Sequence, residues 1–484
     1  MSTQDSSKKI DLLAFINRPR ETNKKRSINE RRKDFDEIYI TQQKPELSQQ
    51  AERCLDCGNP YCEWKCPLHN YIPNWLALVR DEQFEQAAKL MHETNPLPEI
   101  CGRVCPQDRL CEQACTINTG FGAVAIGAIE KNIADRALAQ NWRPDLTQIE
   151  QTGKQVAIVG AGPAGLGCAE LLVRNGVKAV VFDQYPEIGG LLTFGIPGFK
   201  LEKDVVVRRR LFLEDLGVEF RLNTRVGEQI STATLQADFD AIFLATGCYS
   251  SVDGNLPGRN SEGVINALDY LIGNINQQQN YQLKDFPFTD LNGKQVVVLG
   301  GGDTAMDCVR SAVRQQAASV TCVYRRDRES MPGSAQEIVN AIEEGVEFEF
   351  NRQPLSIVEK SGKVQGVKLA ETQLKQDADD GRKTFIVNEN KTQLINADVV
   401  ILAFGFKPSP ASWLEDLGVT LDEYGLVKTL SAAKATPEPT EYAQRTESEG
   451  VYAGGDMVRG ADLVVTAIAE GRQAAREIMD YLEV

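Results

Sequence analysis

Two segments of this sequence repeat one pattern: a run of apolar residues, a glycine-rich turn and an apolar helix. The first copy begins at Gln155 and the second at Gln295, so the two lie 140 residues apart. An apolar strand that leads through glycines into a helix is the opening unit of a parallel βαβ fold. The repeat therefore predicts an α/β chain with two Rossmann-like dinucleotide-binding domains.

The glycines of each turn have separate physical roles in binding a dinucleotide. The first makes the tight turn, the second lets backbone approach a pyrophosphate, and the third allows close helix–strand packing. The helix N-terminus then offers amide donors to the phosphates. A lone glycine motif is weak support, but each copy here follows a strand and opens a helix. The candidate residues are Gly160, Gly162, Pro163, Ala164 and Gly165 in the first turn, and Gly300, Gly301, Gly302, Asp303, Thr304 and Ala305 in the second.

The end of the next strand distinguishes the two ligands. After the first turn that strand ends at Asp183, an acid placed to accept hydrogen bonds from ribose hydroxyls, as with FAD or NAD. After the second turn the matching strand ends at Arg325 and Arg326, whose guanidinium groups suit a 2′-phosphate. We therefore expect NADPH rather than NADH at the second site. The alternative is an ordinary pair of surface arginines.

Later segments favour FAD at the first site. Gly190 and Leu191 follow Asp183 at a short interval, and a strand near the C-terminus ends at Gly455 and Asp456. That strand resembles the late FAD motif of two-dinucleotide flavoproteins, in which the acid binds the ribityl chain and the following helix points at the flavin. Residues 241–247 and 399–405 resemble the crossings between two such domains, so we expect the NADPH domain to be inserted into the FAD domain. Further candidate cofactor-binding residues are Lys200, Gly405, Ala461, Leu463 and Val464.

Cysteines are concentrated near the N-terminus, where eight of the twelve lie between residues 54 and 115. Disulfides are disfavoured in a reducing compartment, so such a cluster points to metal. One Cys-x2-Cys followed by two more cysteines and Cys-Pro resembles the bacterial ferredoxin arrangement. Zinc is the main alternative, although zinc ribbons usually use two such pairs and this sequence has one. The cysteines of the two runs are Cys54, Cys57, Cys62 and Cys66, then Cys101, Cys105, Cys111 and Cys115.

The other four cysteines argue against a disulfide reductase. Such enzymes place a Cys-x2-Cys or Cys-x4-Cys pair beside the flavin or in the pyridine-nucleotide domain. Cys168, Cys248, Cys308 and Cys322 form no such pair and are expected to be small core residues.

Taken together, these motifs resemble the small subunit family of bacterial glutamate synthase and the N-terminal half of dihydropyrimidine dehydrogenase. The resemblance extends from about Ala51 to the end of the chain. It implies a helical iron–sulfur domain (residues 1–145), two parts of an FAD domain (146–287 and 406–484) and an NADPH domain between them (288–405).

The family resemblance also implies two [4Fe–4S] clusters with crossed ligands. The first set would be Cys54, Cys57, Cys62 and Cys115, and the second Cys66, Cys105, Cys111 and Glu130. Dihydropyrimidine dehydrogenase has glutamine at the position of Glu130, and Cys101 is the competing eighth ligand, which the spacing alone does not exclude. A carboxylate ligand would lower the potential of its cluster.

By the same resemblance we expect the electron-input subunit of glutamate synthase. It would oxidise NADPH, pass hydride to FAD and send single electrons through the clusters to a large subunit. That FMN-containing, glutaminase-bearing partner would make glutamate from glutamine and 2-oxoglutarate. The alternative is an NADPH reductase that donates to or accepts from ferredoxin or a pyrimidine-reducing subunit. No catalytic side chain is expected, in keeping with two histidines in the whole chain.

Charge and hydropathy exclude other classes of function. The formal net charge of -15 argues against a general affinity for nucleic acid or anionic membrane. No run of 18 apolar residues occurs, and the polar N-terminus lacks the apolar core of a signal peptide, so a cytoplasmic protein is expected. The chain starts Met1-Ser2-Thr3 without a cysteine nucleophile, so we expect no glutaminase activity from it alone.

Overall fold

The computed structural model describes residues 10–376, 383–430 and 443–484. The N-terminal residues Met1–Thr3, on which the expected lack of glutaminase rests, lie outside the described ranges. Among the described residues, no helix combines the length and the apolar character needed to cross a bilayer.

The N-terminal part is helical, as expected. Its core is formed by apolar side chains such as Trp75, Met91 and Ile129, all almost completely buried. Residues 75–91 belong to two helices, because Glu82 adopts a left-handed φ of 60° between them. The helices are α1 (Ala14–Asn17), α2 (Ile28–Arg31), α3 (Lys44–Ala51), α4 (Tyr61–Lys65), α5 (Ile72–Arg80), α6 (Phe84–Thr94), α7 (Pro98–Val104), α8 (Asn118–Phe121) and α9 (Ile126–Ala139).

The remaining chain alternates strands and helices. The strands are β1 (Gln155–Val159), β2 (Lys178–Phe182), β3 (Glu219–Arg221), β4 (Ala241–Leu244), β5 (Ser250–Ser251), β6 (Val264–Asn266), β7 (Gln295–Leu299), β8 (Ser319–Tyr324), β9 (Glu347–Phe350), β10 (Arg352–Lys360), β11 (Lys363–Gln376), β12 (Lys383–Asn396), β13 (Val399–Leu402), β14 (Phe406–Lys407) and β15 (Val451–Ala453). The helices are α10 (Pro163–Arg174), α11 (Leu191–Phe194), α12 (Lys203–Asp215), α13 (Thr232–Asp238), α14 (Ala267–Gln279), α15 (Asp303–Arg314), α16 (Ala335–Glu343), α17 (Asp456–Arg459) and α18 (Val464–Leu482).

The first sheet is parallel and has the strand order β15-β4-β1-β2-β3. Val159 pairs with Phe182 on one side and with Leu244 on the other, so the carboxyl ends of these strands meet at one edge. Ligands of open parallel sheets bind at this edge. β15 comes from the end of the chain, so the segment between β4 and β15 is inserted into this fold.

The second sheet is also parallel and has the strand order β6-β13-β7-β8-β9. β6 begins at Val264, so the second sheet starts before residue 288, the expected start of the NADPH domain. A strand of three residues is too short to be recognised from the sequence pattern. An antiparallel sheet of β10, β11 and β12 and a two-stranded pair of β14 and β5 complete the described strands. The fold is α/β with two Rossmann-like sheets, as the repeat predicts, and a helical N-terminal domain, as the family resemblance implies.

Candidate cofactor sites

One cavity of about 1000 Å³ lies at the carboxyl edge of the first sheet and reaches the second glycine turn. Its size suits a large organic ligand. Most of the candidate cofactor-binding residues meet in its wall. These are Gly160, Gly162, Pro163, Ala164, Asp183, Gly190, Leu191, Lys200, Asp303, Thr304, Gly455, Asp456, Ala461, Leu463 and Val464. Candidates that do not line it are Gly165, Gly300, Gly301, Gly302, Ala305, Arg325, Arg326 and Gly405.

The first glycine turn has the geometry that the sequence requires. Gly160 has a φ of 111°, and a Cβ there would lie 2.3 Å from the Ala245 carbonyl oxygen. A Cβ at Gly165 would lie 1.9 Å from the Gly160 carbonyl oxygen, so the helix approaches the strand closely. A Cβ at Gly162 would meet no atom within 4 Å, because this backbone borders the cavity. Gly160 and Gly165 therefore need glycine, and the open backbone at Gly162 leaves room for a ligand.

Asp183 is fixed at the end of β2 by two backbone donors. Its Oδ2 accepts a hydrogen bond from the Ala161 amide at 2.7 Å and its Oδ1 one from the Tyr185 amide at 2.9 Å. Burial raises the pKa of Asp183 to about 6 against the opposing effect of these hydrogen bonds. The carboxylate is therefore held rigidly where a ligand hydroxyl could reach it.

The acidic turn before the last helix is held by a glutamate that sequence reasoning missed. Gly455 has a φ of 74°, and its amide donates to Glu470 Oε2 at 2.6 Å. Arg459 Nε donates to Glu470 Oε1, also at 2.6 Å. No local pattern in the sequence marks Glu470, because α18 carries several other charged residues. Burial also raises the pKa of Asp456, in the same turn, to about 6.

The second glycine turn follows the same plan. Gly300 has a φ of 147°, and a Cβ there would lie 2.2 Å from the Ala403 carbonyl oxygen. A Cβ at Gly301 would lie 2.4 Å from the ring of Tyr324, whereas one at Gly302 would meet nothing within 4 Å. The open backbone at Gly302 leads into α15, a helix of twelve residues. This turn can therefore accept a phosphate at a helix N-terminus.

The two arginines lie beside that turn. Arg325 and Arg326 follow β8, the parallel neighbour of β7, so they occupy the same edge of the second sheet. Arg325 is exposed, and the Arg326 guanidinium lies over the ring of Phe385 at 5.0 Å. Gly405 lies farther along, in the crossing between the sheets, where its carbonyl oxygen accepts from the Val252 amide at 3.0 Å. The arginines are thus available to a ligand on the second turn.

Four cysteines from both sequence runs surround a second, small cavity: Cys54, Cys57, Cys62 and Cys115. Burial raises the pKa of Cys54 to about 11 and that of Cys62 to about 12, and the nearby Cys115 raises both further. Thiols with pKa values as high as those of Cys54 and Cys62 lose their protons near neutral pH only if a cation binds them.

Cys66, Cys105 and Cys111 form the other group, around Glu130. Burial raises the pKa of Cys66 to about 12, and the Glu130 carboxylate adds to this effect. At Cys105 the hydrogen bond that its thiol donates to Cys101 is the largest cause of a raised pKa, and Glu130 again contributes. In the folded chain Cys66, Cys105 and Cys111 thus lie near Glu130, with Cys101 beside Cys105.

Glu130 is buried and has two amide donors. Its Oε1 accepts from Asn70 Nδ2 at 3.1 Å and from Asn95 Nδ2 at 3.0 Å. Burial raises the pKa of Glu130 to about 8 against these hydrogen bonds. Cys101 lies nearby, with its Sγ 3.8 Å from Asn95 Oδ1. Within the described ranges, no three His, Cys, Asp or Glu side chains are grouped so that they could hold a metal ion. The fit to iron–sulfur clusters rests on the chemistry of the two thiol groups.

The remaining cysteines are buried. Cys248 lines the large cavity, with its Sγ 3.0 Å from the carbonyl oxygen of Asp456. Cys168, Cys308 and Cys322 lie in the apolar cores, as expected.

Two family models match the chain. Residues 31–142 match dihydropyrimidine dehydrogenase domain II, 4Fe-4S cluster, and residues 154–471 match pyridine nucleotide-disulphide oxidoreductase. Among solved structures, FprA of Mycobacterium tuberculosis in complex with NADPH has a TM-score of 0.56 at 18% identity, covering 68% of this chain and 85% of that one. This likeness concerns the fold of the two sheets.

Sequence relatives cover nearly the whole chain. The glutamate synthase [NADPH] small chain of Halomonas elongata is 54% identical over 97% of this chain and 98% of its own length. The Escherichia coli protein of the same name is 54% identical over 98% of this chain and 99% of its length. The putative oxidoreductase AegA of Escherichia coli is 49% identical over 95% of this chain and 69% of its length. The chain therefore belongs to the glutamate synthase [NADPH] small chain family of oxidoreductases, with a 4Fe–4S domain ahead of its two dinucleotide-binding folds.

Proposed function

We propose that this chain is the electron-input subunit of a glutamate synthase, which takes electrons from NADPH and passes them through FAD and two [4Fe–4S] clusters to a large subunit. The observation that carries the proposal is the shared cavity. It is lined by Gly162 of the first turn, by Asp303 and Thr304 of the second, and by Val104 and Pro106 of the helical domain. All three parts of the chain thus meet where electrons would pass between them.

FAD is proposed to occupy the first sheet. Gly162 and the N-terminus of α10 would hold its pyrophosphate, and Asp183 would accept hydrogen bonds from its ribose. Asp456 would bind the ribityl chain, and Leu463 and Val464 at the start of α18 would face the flavin. When bound, FAD supplies the conversion of a two-electron hydride into single electrons.

NADPH is proposed to occupy the second sheet. Gly302 and the first turn of α15 would hold its pyrophosphate, and Arg325 and Arg326 its 2′-phosphate. Asp303 Oδ1 accepts from the Ser334 amide at 3.0 Å, which fixes the start of this helix. The chain's part is to bind, orient and exclude water, so no side chain needs to act as nucleophile or general base.

The two thiol groups are proposed to hold the two clusters. Glu130 would complete the second set, because two asparagines already position its carboxylate through Oε1. Its charge also acts on the thiols of Cys66, Cys105 and Cys111. Val104 and Pro106 flank Cys105 and line the shared cavity, which supports the second cluster as the first acceptor. Electrons would then leave through the cluster of Cys54, Cys57, Cys62 and Cys115.

The partner is proposed to be a large, FMN-containing, glutaminase-bearing subunit that makes glutamate from glutamine and 2-oxoglutarate. Purified under anaerobic conditions, the chain alone should oxidise NADPH with artificial acceptors and form no glutamate from these substrates. Addition of the large subunit should couple NADPH oxidation to glutamate formation. Glutamate produced by the pure chain would contradict this division of labour.

A second candidate is an NADPH reductase serving ferredoxin or a pyrimidine-reducing subunit. It is favoured by the match of residues 31–142 to dihydropyrimidine dehydrogenase domain II. Copurification separates the two candidates, since the first requires a large FMN protein and the second a small iron–sulfur protein or a pyrimidine-reducing subunit.

A further inference from the structure

An ion pair joins the two nucleotide-binding folds in the wall of the shared cavity. Lys200 Nζ lies 2.9 Å from Asp307 Oδ1, and both residues line the cavity. Lys200 precedes α12 in the first fold, and Asp307 lies one turn inside α15, the helix that begins at the second glycine turn. The side chains are 11% and 7% exposed, so this contact is almost fully shielded from solvent.

Of the acids around Lys200, Asp307 lies nearest to its ammonium group. Glu337 Oε2 lies farther from Lys200 Nζ, at 4.0 Å, and accepts a hydrogen bond from Arg310 Nη1 at 2.5 Å. Burial opposes the charge on Lys200, but the carboxylates of Asp307, Glu337 and Asp303 together outweigh it and raise the pKa of Lys200, with Asp307 contributing most. The ammonium therefore stays charged and is held chiefly by Asp307.

The loop that carries Lys200 is itself held in place by hydrogen bonds from Lys203. Lys203 Nζ donates to the Leu192 carbonyl oxygen at 2.9 Å and also to that of Ile196. The loop thus has little freedom, and the side chain of Lys200 projects from a rigid base toward the second fold. Asp307 Oδ1 has no well-aligned hydrogen bond among the described residues, so the contact is an ion pair.

We propose that Asp307 is a positioning residue for hydride transfer: it holds the Lys200 ammonium in the cavity wall and so fixes the second glycine turn relative to the first fold. The inference rests on the proposed function. Hydride transfer requires reacting atoms about 3–3.5 Å apart, and a displacement of about 1 Å can reduce the rate about 100-fold. A buried ion pair beside both proposed ligands would constrain the distance between the reacting atoms.

The test is anaerobic single-turnover reduction of the flavin by NADPH in the purified holoprotein. Asp307→Asn should lower the limiting rate about 100-fold. The NADPH concentration at half the limiting rate should change less than about threefold, because dinucleotide contacts remain. Lys200→Arg, which keeps the charge, should retain more of the rate than Lys200→Met. A normal limiting rate in Asp307→Asn would overturn the inference.

The double variant Lys200→Met with Asp307→Asn separates positioning from stability. Removing both charges leaves neither buried alone, so the melting temperature should recover toward the wild-type value. The limiting rate should remain low, because the ion pair between the two folds is still missing. A recovered limiting rate would overturn the inference. This comparison also decides the matter if Asp307→Asn alone fails to fold.

A matched control is Glu343→Gln. Glu343 pairs with Lys25 at 3.0 Å, so it also links the second fold to another part of the chain, but it does not line the cavity. The limiting rate of Glu343→Gln should equal that of the wild type. A loss of rate as large as that of Asp307→Asn would also overturn the inference. Absence of flavin reduction in the wild-type holoprotein would refute the proposed function, whereas a failure confined to the variants refutes the positioning role.

Discussion

The backbone of Gly471 lies against the carbonyl oxygen of Ala164, so that a Cβ at position 471 would be 1.9 Å from that oxygen. Gly471 belongs to α18 and Ala164 to the first turn of α10, so two helices separated widely in sequence touch at backbone distance. Ala164 lines the shared cavity, as do Leu463 and Val464 at the start of α18. The crossing of these helices therefore sets the width of the proposed FAD site.

Gly471→Ala should destabilise the protein by about 1–3 kcal/mol, because the methyl group forces the two helices apart. It should also lower the FAD content of the purified protein. Denaturant unfolding and flavin absorbance measure the two effects. Gly167→Ala in the same interface is the graded comparison, since its Cβ would lie 3.0 Å from the Ile468 carbonyl oxygen and should cost less. Equal stability of Gly471→Ala and wild type would contradict the close approach.

Replacing both Arg325 and Arg326 by alanine should lower kcat/KM for NADPH about 10- to 100-fold, because charge-assisted hydrogen bonds to a phosphate are lost. The value for NADH, which lacks the 2′-phosphate, should change little and serves as the internal control. Steady-state assays with an artificial acceptor give the ratio of the two. A parallel loss for both cofactors would assign the arginines to folding rather than to specificity.

Asp183 should make stability depend on pH in the flavin-free protein. Its folded pKa of about 6 exceeds the ordinary value of 3.8, so its contribution is complete below about pH 4 and is lost as the pH rises through 6. Between pH 4 and 7, the unfolding free energy of wild type should fall by up to about 3 kcal/mol relative to Asp183→Asn. FAD should reduce this fall, since ribose hydroxyls favour the carboxylate. If the difference in unfolding free energy between wild type and Asp183→Asn did not change with pH, Asp183 would have an ordinary pKa.

Cys62→Ser should reduce the iron content from about eight to about four atoms per chain, since one of two [4Fe–4S] clusters would be lost. Iron and sulfide analysis of anaerobically purified protein measures this change. Cys168→Ser is the matched control, because Cys168 is buried in the apolar core and should leave the iron content unchanged. Zinc in place of iron in the wild-type protein would contradict the cluster assignment.

Glu130→Ala and Cys101→Ser distinguish the two candidates for the eighth ligand. We expect Glu130→Ala to destabilise the second cluster and change its electron paramagnetic resonance signal in the reduced protein. Cys101→Ser should leave that signal in place, because serine can still donate to Asn95. The opposite pattern would assign Cys101 as the ligand.

The sequence predicted the motifs whose chemistry is local. Each glycine turn lies between a strand and a helix that its own residues specify, so Gly160 and Gly300 could be placed without knowledge of the rest of the fold. The cysteine spacings and the acid at Asp183 could be recognised from the sequence for the same reason. In contrast, Glu470 and Gly471 were missed, because their partners, Gly455 and Ala164, are brought to them only by folding.

By itself, then, the sequence determined two dinucleotide folds, a cysteine-rich helical domain and the chemistry each can offer. Only the tertiary structure decided that Lys200 meets Asp307 and that Val104 and Pro106 border the same cavity. The physical reason is that strand and turn preferences act over a few residues. The relative placement of domains instead depends on buried contacts between residues more than 100 positions apart, such as Lys200 with Asp307, and no local pattern encodes such contacts.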